Sequence, residues 1–206
     1  MKESKIYSLS DEYKCYLWTP LKTASYHATF IFNHYSFKNV YDAWDENAYR
    51  HESQEILHHH TCDVLPRHYD YDVICTARHP LKRIISYYNY RYGKIYQNPS
   101  DHFEYFVYEQ ILLDDNHPIN IGMVYGNKIP NYFIKTESLY EDYLKIPFIK
   151  DSKLATSGIL EELCNKRFNK KHYRTNIENY YNYDMIDRLY DKYRDYYELL
   201  GYSKEI

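Results

Sequence analysis

A chain of 206 residues is long enough for one well-buried core and reads as a single domain over residues 1–206. Its 44% hydrophobic and 27% charged residues exclude disorder, and a net charge of −3 excludes a global attraction to nucleic acid or to an anionic membrane. No apolar run is long enough to span a bilayer, and residues 1–11 are polar and lack a signal-peptide core.

Four cysteines (Cys15, Cys62, Cys75, Cys164) are scattered without metal or redox spacing. A reduced, cytoplasmic setting is therefore expected, a host cytoplasm if the source is viral. Tyrosine is abundant, 29 residues against only 5 glycines. The expectation is that tyrosine replaces Phe and Leu at half-buried positions, ring inward and hydroxyl outward.

In chain order, the apolar run Cys15, Tyr16, Leu17 and Trp18 predicts a strand over 14–19, and Ala28, Phe30 and Ile31 a helix over 25–34. A strand over 37–43 and a polar helix over 46–59 follow. The continuous apolar stretch 71–77 reads as a buried parallel strand. Pro80 stands at the first position of a helix that runs through Ile84, Ile85, Tyr88 and Tyr92 to Gly93. Further helices are expected over 101–113 and 138–144, with a short strand at 132–135 between them. Residues 147–175 read as loop-rich, with a helix near 157–165. The last helix has Asp184 as its cap, Ile186, Leu189, Tyr193, Tyr197 and Leu200 on one face, and Gly201 at its end. Strands alternating with helices predict an α/β fold of the P-loop-like, three-layer kind, with a mainly parallel central sheet flanked by helices.

The turn Trp18-Thr19-Pro20-Leu21-Lys22-Thr23-Ala24-Ser25-Tyr26-His27 joins the first predicted strand to the first predicted helix. Backbone N–H groups opening a helix, with a lysine beside them, suit a phosphate-type anion. A nucleoside-triphosphatase loop would carry two glycines before its lysine. Here both are missing and Lys22 comes early, so the turn suits a smaller group. The competing account is a plain helix start capped by Thr23 or Ser25, with Lys22 exposed. A second site tips the balance. Arg78 ends the 71–77 strand and Ser86 lies two turns into the next helix, a guanidinium and a hydroxyl suited to a phosphate. The alternative is that Arg78 pairs with a structural carboxylate and Ser86 packs on the sheet. Ligands of such folds bind beyond the carboxyl ends of the strands, so Lys22 and Arg78 are expected on one rim, facing a ligand with two anionic ends.

These residues carry a resemblance. Lys22-Thr23-Ala24-Ser25 resembles the 5′-phosphosulfate loop of sulfotransferases that use 3′-phosphoadenosine 5′-phosphosulfate (PAPS), continuing here into Tyr26 and His27. Arg78-His79-Pro80-Leu81-Lys82-Arg83-Ile84-Ile85-Ser86-Tyr87-Tyr88 is similar to their 3′-phosphate motif, whose arginine and serine fall on Arg78 and Ser86. The alanine at position 24 resembles the heparan sulfate or uronyl 2-O-sulfotransferase branch; other members often have glycine there. Leu21 stands where the family usually has proline directly before lysine, and Tyr26-His27 where it has small hydroxyl residues. The resemblance runs on in order through Lys135-Thr136-Glu137-Ser138-Leu139 and Leu200-Gly201-Tyr202.

The resemblance implies sulfuryl transfer from PAPS to an acceptor hydroxyl, on a carbohydrate by analogy with that branch, releasing adenosine 3′,5′-bisphosphate without a metal. Lys22 would carry charge for the leaving phosphate. The base would come from His58-His59-His60, since the 2-O-sulfotransferase branch has a catalytic histidine in the corresponding segment, and histidine titrates near working pH. His60 is placed first, His58 next and His59 third. Glu52, Glu55 and His27 are alternatives, and an exposed loop is the account without chemistry. A basic cluster over 166–174 is either a solvated loop, a lid over the 3′-phosphate or a grip on an anionic acceptor. Two other functions compete: a small P-loop-type kinase, disfavoured by the missing glycine-lysine motif, and a non-catalytic adenosine-bisphosphate-binding protein. Nothing in the sequence sets the oligomeric state.

Overall fold

The computed structural model describes residues 7–40, 69–93, 100–115, 117–121, 123, 128–166 and 180–204. In chain order the elements are β1 (Tyr7–Ser10), β2 (Cys15–Trp18), α1 (Ser25–Phe32) with a 3-10 turn at Asn33–Tyr35, β3 (Lys38–Val40), β4 (Asp72–Ala77) and α2 (Pro80–Tyr92). Then come α3 (Ser100–Tyr105), which continues as a π-helix over Phe106–Leu112, α4 (Pro118–Ile121) and β5 (Tyr132–Lys135). The chain closes with α5 (Leu139–Tyr143), α6 (Pro147–Lys150), α7 (Lys153–Thr156), α8 (Ile159–Asn165), α9 (Tyr183–Lys192) and α10 (Arg194–Leu200). The chain divides into two compact units, residues 1–77 with 125–170, and residues 78–124 with 171–206.

The first unit is an α/β arrangement around a mixed five-stranded sheet, ordered β3-β1-β2-β4-β5. β1 pairs antiparallel with both β2 and β3, while β4 runs parallel to β2 and β5. The expectation of a mainly parallel sheet thus holds only for the β2-β4-β5 half. β1 was not expected: its four residues include two serines, so no apolar run marks it. A turn over 11–14, with Lys14 left-handed at φ 49°, folds it back on β2. Alternation along the strands splits the core. Cys15, Leu17, Ile74 and Ile134 meet Ala28, Ile31 and Phe32 of α1 and Tyr143, Ile146, Ile149 and Leu160 of the later helices. Tyr16, Trp18, Val73 and Cys75 pack on the opposite face with Leu9. Burial pushes the Cys15 and Cys164 thiols up to about 12, as befits cysteines used as small apolar groups.

The second unit gathers α2, α3, α4, α9 and α10. Tyr88 of α2 is its hub, with Phe103 edge-on at 4.9 Å and Phe106 at 5.4 Å. The expected last helix is two. Tyr193, at φ −112°, ends α9 and opens α10. The apolar spacing runs on across this break, which hides it in the sequence, and the Tyr193 hydroxyl donates to Asn120 in the core. The cap is Asn182, whose side chain accepts from the Met185 N–H at 2.9 Å. Asp184 instead accepts from the Tyr108 hydroxyl and from Arg188.

Tyrosine departs from expectation in both units. Tyr16, Tyr35, Tyr88, Tyr143, Tyr181, Tyr193 and Tyr197 are buried whole. Several hydroxyls turn inward to tie elements together: Tyr35 to Ser152 at 2.8 Å, Tyr181 to the Leu81 carbonyl at 2.9 Å, and Tyr88 to His102 at 3.1 Å. Among the described residues no helix is long and apolar enough to cross a membrane, and no cluster of His, Cys, Asp or Glu is built to hold a metal ion.

Candidate functional site

The Lys22 turn leaves the carboxyl end of β2 and feeds α1. Two of its residues are left-handed without being glycine: Lys22 at φ 65° and Ala24 at φ 62°. Each such residue costs about 1–2 kcal/mol, so the surrounding contacts must hold the shape. Thr23, fully buried between them, supplies the hold. Its hydroxyl donates to the Pro20 carbonyl at 2.5 Å and meets the Thr76 hydroxyl of β4 at 2.6 Å. Since the Thr23 proton goes to Pro20, Thr76 donates its own to Thr23.

Ala24 is the N-cap, and its methyl side chain makes no capping hydrogen bond. The first helical bond is Ala28 N–H to Ala24 carbonyl at 3.0 Å, so the N–H groups of Ser25, Tyr26 and His27 precede the helical ladder. Left-handed residues leading into a helix N-terminus suit an anion-binding concavity. Lys22, Ala24 and Ser25 are half-exposed at its mouth, and Tyr26 is 71% exposed.

His27 goes elsewhere. Its ring is buried in the first unit, with Nε2 donating to the Leu163 carbonyl at 3.2 Å and Nδ1 accepting from the Tyr143 hydroxyl at 3.1 Å. A carbonyl only accepts, which puts the proton on Nε2. Burial holds the ring below the usual histidine range, with partial relief from the Leu163 bond. Both nitrogens serve the core, so His27 supplies the turn with backbone only. Its one-turn spacing to buried Ile31 is the signal for this.

In the second unit, Arg78 and His79 form the two-residue link between β4 and α2. Pro80 sits at the first helical position as expected, and Arg83 N–H to His79 carbonyl at 2.9 Å opens the ladder. Ser86 lies on the more open stripe of α2, with Lys82 and Tyr90 one turn to either side. Arg83, in the same motif, is fully buried. Arg78 is half-exposed, and its backbone meets Tyr196 of α10. Thr76 and Tyr196 escaped the sequence reading. Thr76 is legible as a hydroxyl inside an apolar strand, whereas nothing in the local pattern marks Tyr196.

His58, His59, His60, Glu52 and Glu55 lie outside the described residues, as does all of the 166–174 basic cluster except Lys166. No protein-family model, curated protein or solved structure matches this chain.

Proposed function

We propose that this chain is a PAPS-dependent sulfotransferase on a P-loop-like fold, transferring a sulfuryl group to an acceptor hydroxyl, carbohydrate in class. The observation that carries the reading is the Lys22–Ala24 turn, where two left-handed non-glycine residues at the N-terminus of α1 flank Thr23, whose hydroxyl is tied to Thr76. Strain kept in place at a helix N-terminus is expected where a turn must be pre-shaped for an anion. The parallel register of Trp18 with Cys75 adds support, because it sets the carboxyl ends of β2 and β4 on the same edge of the sheet.

In this reading the N–H groups of residues 25–27 and the Lys22 ammonium take the 5′-phosphosulfate, while Arg78 and Ser86 take the 3′-phosphate. The acceptor oxygen attacks sulfur as the sulfur–oxygen bond to the 5′-phosphate breaks. The acceptor proton passes to a base, His60 first and His58 next, and adenosine 3′,5′-bisphosphate leaves with its charge met by Lys22. The cytoplasmic setting and the absence of a required metal belong to the same proposal.

Adenosine 3′,5′-bisphosphate should raise the melting temperature, by the equivalent of about 2.7 kcal/mol at a hundredfold excess over Kd. ATP with Mg²⁺ should not; the opposite pattern would favour the kinase. Incubation with labelled PAPS and a panel of glycans, phenols and peptides then identifies the acceptor. One observation favours a second reading, non-catalytic bisphosphate binding: the histidine inside the turn, His27, is committed to the core. Bisphosphate binding without transfer to any acceptor would establish it.

A further inference from the structure

Arg78 stands between two hydrogen-bond systems. The sheet ladder ends with Thr136 N–H on the Ala77 carbonyl at 2.9 Å, and α2 begins at Pro80, which has no N–H to give. The backbone direction at Arg78, which aims its guanidinium, therefore needs support from elsewhere in the chain.

That support comes from residues 196–203. The Tyr196 hydroxyl accepts from Arg78 N–H at 3.4 Å and donates to the Arg78 carbonyl at 3.3 Å, gripping one residue on both sides. The neighbouring His79 ring, 5% exposed, directs Nε2 to the Ser203 carbonyl at 3.1 Å. Tyr197 and Tyr202 lie edge-on to it, with centroids at 5.4 and 5.1 Å. Each contact by itself is modest. Together they fix both residues of a two-residue link through groups 118 and 124 positions away.

We propose that Tyr196 and His79 are positioning residues that aim Arg78 at the 3′-phosphate of the nucleotide, so that preference for a 3′-phosphorylated ligand depends on the α10 end of the chain. This rests on the reading of Arg78 given under Proposed function. Neither residue touches ligand; each acts through the Arg78 backbone.

The test compares dissociation constants for adenosine 3′,5′-bisphosphate and adenosine 5′-monophosphate by calorimetry, their ratio reporting the 3′-phosphate alone. Wild type should prefer the bisphosphate. Tyr196→Phe keeps the ring and removes both bonds to Arg78. His79→Phe removes the Ser203 bond, and His79→Gln retains a donor at the Nε2 position. The two Phe variants should lose about tenfold of the ratio, the scale of one misaimed hydrogen bond to a charged group, with monophosphate affinity unchanged. The Gln variant should keep the ratio. An unchanged ratio in folded Tyr196→Phe overturns the proposal, as does an equal loss for both ligands, which marks general loosening. A wild type without preference overturns the 3′-phosphate reading itself and this inference with it.

Discussion

The starts of α1 and α2 solve one problem in two ways. Each follows a parallel strand and each carries residues proposed to hold an anion. The α1 start is a long turn with two left-handed residues, fastened by one hydroxyl pair to a neighbouring strand. The α2 start is a two-residue link fastened by tyrosines and a carbonyl from the far end of its unit. The first stores its shape in backbone strain held by a single hydroxyl pair to β4. The second stores none at positive φ and depends on distant packing. A turn of the first kind is disturbed by changes in its own residues, whereas a link of the second kind is disturbed from a distance.

The largest expected effect tests the α2 side. Arg78→Ala should weaken adenosine 3′,5′-bisphosphate binding by about 2–5 kcal/mol, the range for one lost partner of a desolvated charge pair. Calorimetry showing unchanged affinity would remove the 3′-phosphate assignment.

Acid should next weaken the packing behind both starts. His117 packs edge-on against Tyr87 of α2 at 5.2 Å and takes a hydrogen bond from Ile119 N–H through Nδ1. Burial pushes its pKa down to about 4, opposed by Asp114 and assisted by Arg91 and Arg83. The unfolded ring titrates near the ordinary value, so as pH falls the unfolded chain takes up the proton first. Stability is therefore whole above about pH 6.5, declines by about 2–3 kcal/mol towards pH 4, and is flat below from this group. His27 acts in the same direction in the first unit. The Thr23–Thr76 pair does not titrate. Urea unfolding of His117→Gln should show a shallower loss between those pH values than wild type, and an identical slope would refute the role given to His117.

The smallest effect sharpens the α1 side. Ala24→Gly relieves the left-handed strain but frees the unfolded chain, leaving a net gain of about 0.5–1 kcal/mol. A loss of stability in thermal melts would mean that the strain at position 24 is not felt.

How far these features were legible follows the same division. The α1 turn stands out in the sequence through Lys22, Thr23 and Ser25 between an apolar run and a helix, whereas the left-handed backbone of Ala24, at φ 62°, has no local sequence signal. β4 and the Pro80 start of α2 were equally plain, because an apolar run followed by proline leaves few options. What stayed hidden was non-local. Tyr196 looks like any apolar-face residue of the last helix, and its grip on Arg78 exists only once that helix is docked. The break at Tyr193 hides inside an unbroken apolar spacing. β1 alternates apolar and polar residues over only four positions, too short a pattern to stand out, and takes its strand form from pairing with β2 and β3.

The distance from Arg78 to Tyr196 also orders events during synthesis. At roughly 5–20 residues per second, the 118 residues between them take about 6–24 s to emerge from a ribosome. Thr23 waits for only 53 residues before Thr76 exists. On a growing chain the Lys22 turn gains its anchor first, and the Arg78 link passes that interval without its tyrosine clamp.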